Sequence, residues 1–224
     1  MSGLSMTTTR AKARLQVFNA YYFLSGLSEY NSSCAVVSYA DSYALGAWLS
    51  RQYGGAALVQ AIMQNDSVDN DSIAAAVNSL NGTDYDFDDL FEQFLLAVTG
   101  NGTYTLDKDA EENLSYESGD ETYTYPMTAI DLWNEDYSIT SSGLSDYSSV
   151  QSTLSAAKYS SYDWCGPYLF SKSYSYALRP DYGFTLHGIE EISSDTTESS
   201  DTIERTYTFS EIGSSSLTMY LIIQ

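Results

Sequence analysis

The chain has 224 residues, with 9 Lys and Arg against 30 Asp and Glu and a formal net charge of -21. This balance argues against nucleic acid, whose phosphates need a positive surface, and against anionic membrane surfaces. Hydrophobic residues make up 43% and aromatic residues 14%. That is enough to build a core and too aromatic for disorder throughout, while no apolar run approaches the roughly 20 residues that span a bilayer.

Residues 1–16, MSGLSMTTTRAKARLQ, hold three of the nine basic residues and lead into no signal-peptide core. A helix is expected over 11–24. Over 34–53, Val36, Tyr39, Ala40, Tyr43, Ala44, Ala47 and Trp48 recur at i, i+3, i+4, i+7 spacing. That predicts a helix with this stripe inward. Val37, Leu45 and Leu49 lie off the stripe, so the helix needs partners on several sides. Four later helices are not expected to cover it, which predicts an exposed apolar patch within 11–53. Gly54-Gly55 should stop the helix. Ala56, Val59, Ile62 and Met63 repeat the rhythm over 56–64. Ile73, Ala76, Val77 and Leu80 do so over 72–80, with a start at Asn70 or Asp71 and a stop at Asn81-Gly82. Residues 87–98 predict a further helix with Leu90, Phe91, Phe94, Leu95 and Val98 inward. Asp86 is its N-cap, and Asp88 and Asp89 suit its positive end.

Gly100-Asn101-Gly102 reads as a joint. Residues 1–100 carry a net charge of -6 and residues 101–224 one of -15, with 14 of the 21 Tyr. Residues 101–124 read as a loop or a meandering hairpin, and 151–160 as a short helix. Tyr182 to Ile189, Thr202 to Phe209 and Ser216 to Ile223 carry strand signals, and 192–200 reads as exposed turns. The expected fold is α+β: a helical region over 1–100, then a mainly β, loop-rich, acidic and Tyr-rich region over 101–224.

Chemistry-bearing residues are few. The single histidine, His187, lies in GFTLHGIE, which alternates like a strand, and reads as structural. Neither a His-Glu-x-x-His pair nor a Gly-rich phosphate loop occurs. Cys34 and Cys165 allow one bridge or two thiols. Asp66, Asp69 and Asp71, and then Asp84, Asp86, Asp88 and Asp89, invite a weak calcium reading. Neither cluster has the twelve-residue loop with its central Gly and closing Glu, so helix capping and a solvated face are the plainer reading. Scarce Lys, abundant Ser, Thr, Asn and Tyr, and the negative charge predict an extracytoplasmic setting, secreted or at the cell surface.

One block is more specific. Arg14, Leu15, Phe18 and Asn19 lead to Tyr39, Ala40, Ser42, Tyr43, Ala44, Gly46, Ala47 and Leu49, then to Tyr53, Gly54 and Gly55. An Ala-rich helix and DFDDLFEQFLLAV follow. This run over 14–98 resembles the part of hyicolysin-type, gluzincin-like bacterial zinc metallopeptidases that follows their metal-binding helices. Residues 126–134, PMTAIDLWN, and 178–189, LRPDYGFTLHGI, resemble that family's carboxy-terminal tail more faintly. The resemblance implies helices that form the floor and one wall of a cleft, with Tyr39 or Tyr43 as candidates to steady an oxyanion. Helix packing is the plainer role for both. The family's zinc ligands and general base would lie upstream of Met1, so the chain alone should carry no zinc and no peptidase activity, a pseudo-enzyme. On this reading it is a carboxy-terminal piece or degenerate homologue whose partner is the missing catalytic half. The alternatives are a surface module that binds protein or carbohydrate through the Tyr-rich β region, and a calcium-stabilised extracellular domain.

Overall fold

The computed structural model describes residues 9–27, 30, 32–100, 113–118, 121–126, 130–134, 137, 166–171, 179 and 181–188. Helix α1 (Thr9–Tyr21) runs into a 3-10 turn over Tyr22–Leu24. A second 3-10 turn, Ser32–Cys34, opens α2 (Ala35–Tyr53). Then come α3 (Gly55–Gln64), α4 (Asp69–Asn81) and α5 (Phe87–Val98). Strands β1 (Asn113–Ser118) and β2 (Glu121–Pro126) form an antiparallel hairpin. Strands β3 (Leu169–Ser171) and β4 (Leu186–Gly188) pair in parallel. The fold is α+β.

The helix ends follow from local chemistry. Gly54, at φ +117, takes the left-handed turn that stops α2, and its N–H donates to Ser50 O. Gly82, at φ +66, stops α4 and donates to Asn78 O. Asp86 caps α5 by accepting from Asp89 N, while the Asp89 carboxylate accepts from Asp86 N, a reciprocal capping box. Asn78 clamps the α4–α5 turn: its Nδ2 donates to Tyr85 O and its Oδ1 accepts from Tyr85 N and Thr83 Oγ1.

The core begins on α1, α2 and α5. Phe94 packs edge-on against Phe18 at 6.1 Å and Trp48 at 5.6 Å. Segments beyond residue 100 complete it: Ile130, Leu132, Tyr137, Phe170 and Phe184 are buried in the same cluster. Phe184 stacks on Tyr22 at 4.6 Å. Polar ties hold these segments down. Asn19 Nδ2 donates to Leu132 O at 2.8 Å, Tyr168 N to Asn19 O at 2.7 Å, and Trp133 Nε1 to Val98 O at 3.2 Å.

Several sequence expectations change. The buried face of α2 is wider than its stripe: Ala40, Tyr43, Ala44, Ala47 and Trp48 are buried as expected and so are Val37, Leu45 and Leu49, whereas Tyr39 is 53% exposed. The chain itself covers α2 on most sides, and of the large apolar side chains described over 11–53 it leaves Tyr30 and Tyr39 exposed. Further exposed apolar side chains lie later, at Val59, Met63, Val68 and Leu80. On α3 the inward residue is Leu58, and Val59 and Met63 face solvent. Within the expected strand from Tyr182 to Ile189, Tyr182 lies in a turn and, among the described residues, Leu186–Gly188 alone is in a ladder. The short helix over 151–160, the strands over 202–209 and 216–223 and the turns over 192–200 lie outside the described residues.

Candidate functional site

Tyr39 and Tyr43 stand one turn apart on α2, so their rings project from one side of the helix. Arg14 of α1 reaches across both, its guanidinium carbon 6.0 Å from the Tyr39 centroid and 5.6 Å from that of Tyr43. A cation over an aromatic face is attracted by the ring quadrupole. Tyr30 adds a third ring, 6.0 Å from Tyr39, and is 63% exposed. A hydrogen bond with the Tyr39 side chain, then repulsion from it, raise the Tyr30 phenol above its ordinary range.

The two sequence candidates therefore differ. Tyr39 is displayed to solvent beside Tyr30. Tyr43 is buried beneath Arg14, and burial pushes its phenol up while Arg51 and then Arg14 pull it down. Arg51 is buried at the other end of α2 and donates through Nη1 to Ala47 O. Two guanidinium groups thus act on one phenol in a chain of net charge -21. Only Arg14 of the two is exposed, and it suits a partner that offers carboxylates, carbonyl oxygens or planar groups. Sequence reasoning missed Tyr30 and Arg51. Tyr30 sits outside any periodic run, and Arg51 is a charged residue off the apolar stripe of α2.

Other candidates resolve into structural roles. His187 is exposed on β4, beside Thr185 Oγ1 at 3.1 Å and the Phe170 ring at 5.5 Å. Cys34 is a buried thiol at the start of α2, and Cys165 lies outside the described residues. Asp86 and Asp89 are spent on the capping box. Asp88 accepts from Tyr182 OH at 2.7 Å; burial first, then Asp88, lifts that phenol to about 12. Among the described residues no group of three or more His, Cys, Asp or Glu is placed to hold a metal ion, and no helix is long and apolar enough to cross a membrane.

Comparison of the chain with protein-family models, with curated proteins and with solved structures gives no match.

Proposed function

We propose that the chain is a non-catalytic support module that docks on another polypeptide through the α1–α2 face. The observation that carries this reading is the cluster of Arg14 over Tyr39 and Tyr43, with Tyr30 alongside. Exposed Tyr and Arg are the side chains that anchor protein interfaces, because each covers a large area at low ordering cost. The resemblance over 14–98 names the partner class: the zinc-bearing part of a hyicolysin-type metallopeptidase, secreted or at the bacterial surface. Tyr39 would then face the composite cleft, and Tyr43 would hold Arg14 in place. Fold-level likeness does not supply an activity, so the purified chain alone should cleave no peptide, with or without zinc.

The test is calorimetric titration of the full chain with a zinc-bearing domain of that family. Binding should weaken at least about tenfold in the Arg14→Ala, Tyr39→Ala double variant, a loss of roughly 1.4 kcal/mol or more. Zinc-dependent cleavage by the chain alone contradicts the reading.

A second reading has its own observation. The β1–β2 register sets Tyr116 opposite Tyr123 and Leu114 opposite Tyr125. Tyrosines at facing register positions suit a hairpin that binds protein or carbohydrate. Sugar or peptide binding abolished by Tyr116→Ala, with Arg14→Ala silent, favours this reading.

A further inference from the structure

Asp41 lies in the middle of α2 and is 1% exposed, and neither carboxylate oxygen has a hydrogen-bond partner. One turn before it on α2, Ser38 Oγ pairs with Ser25 Oγ at 2.9 Å instead of turning to the carboxylate. Several elements pack on α2, and their charged or titratable groups can be named. Among the described side chains, helix α1 carries Lys12, Arg14 and Tyr21; the 3-10 turns carry Tyr22 and Cys34; α4 carries Asp69 and Asp71; α5, which meets α2 where Phe94 packs on Trp48, carries Asp88, Asp89 and Glu92; α3 carries none. Tyr39, Tyr43, Arg51 and Tyr53 share α2 itself. None of these groups bonds either Asp41 oxygen. An ionised carboxylate so placed would be unpaired in a low dielectric, which costs far more than holding a proton.

We propose that Asp41 is a built-in proton switch: the chain folds around the neutral carboxylic acid, and folding takes up a proton at this position. Burial alone raises this carboxyl well above the ordinary carboxylate range. The sign follows. A group raised in the folded state leaves stability intact below its unfolded value, near 4, and removes stability as pH climbs from there through the folded value. Acid therefore locks the α1–α2 unit and rising pH loosens it. This inference does not depend on the docking surface.

The experiment is thermal unfolding of the full chain between about pH 4.5 and 7.5 in three forms: wild type, Asp41→Asn and Asp66→Asn. Asp66 is exposed and controls for the large negative charge, whose repulsion also eases in acid. Wild type and Asp66→Asn should lose Tm in parallel as pH rises. Asp41→Asn should be flatter and end higher, by on the order of 5 °C at the upper pH. Parallel slopes for all three overturn the proposal. Infrared spectroscopy of the wild type at about pH 6.5, where carboxyls of ordinary pKa are almost fully ionised, gives a readout that needs no variant. A protonated-carboxyl carbonyl band should be present in the native protein and lost on unfolding at the same pH. A native protein without that band also overturns the proposal.

Discussion

Tyr22 shows how one side chain joins distant parts of the chain. It is fully buried; its hydroxyl donates to Tyr168 O at 2.8 Å and accepts from Leu186 N at 2.8 Å. Tyr22→Phe keeps the ring on Phe184 but strands one carbonyl and one N–H. It should cost about 1–3 kcal/mol, read from denaturant unfolding. A cost within error would mean the two backbone groups find other partners. Tyr53 gives a pH prediction. Burial, then repulsion from Tyr85, lifts its phenol to about 12. The folded value lies above the unfolded one, so stability is intact below about pH 10 and is lost as pH rises from there toward 12. Tm measured across that range should fall less steeply in Tyr53→Phe. Gly166 is constrained twice, by φ +90 and by Trp133 Cε3 at 2.3 Å from an added Cβ. Gly166→Ala should destabilise by about 2 kcal/mol or more, because the Trp133 ring packed against the core must move.

At the scale of elements, the helices were the most legible part of the sequence. Apolar periodicity and the Gly54, Gly82 and Asp86 boundaries predicted α2, α4 and α5 to within a few residues. These signals are local, so neighbours seldom override them. The Asp86 box gives a direct check: Asp86→Ala should cost about 1 kcal/mol, with Asp86→Asn much milder. Facing was less legible. A helix apolar over most of its circumference has no single inward stripe, so Tyr39 was assigned to the core and is exposed. On α3, Val59 and Met63 share the helical rhythm yet face solvent, because α2 and α4 meet its other side. The hairpin over β1 and β2 was legible only as one of two options. Of the site, Tyr39 and Tyr43 were named from the resemblance; Arg14 belonged to the same block, but its reach across both rings was not readable. Asp41 had a signal that went unused: a carboxylate inside a run as apolar as AVVSYADSYALGAWL.

For the whole molecule, the governing feature is a shared core. Phe18 and Phe94 pack with Phe184, Trp48 packs on Phe94, and Ile130, Leu132 and Phe170 close the same cluster. Residues 1–100 expressed alone should therefore expose apolar surface and bind a hydrophobic dye that the full chain ignores. Equal dye binding would mean the helices close their own core. The cluster of Arg14, Tyr30, Tyr39 and Tyr43 stands on α1, α2 and the connection between them, so the core that buries Tyr43 also fixes Arg14 for display. The most direct test of the docking account is a hydrogen-exchange footprint of the full chain, taken with and without a zinc-bearing domain of a hyicolysin-type metallopeptidase. The account predicts added protection around Arg14 on α1 and from Tyr30 through Tyr43. Protection confined to residues 113–126, or none, would contradict it.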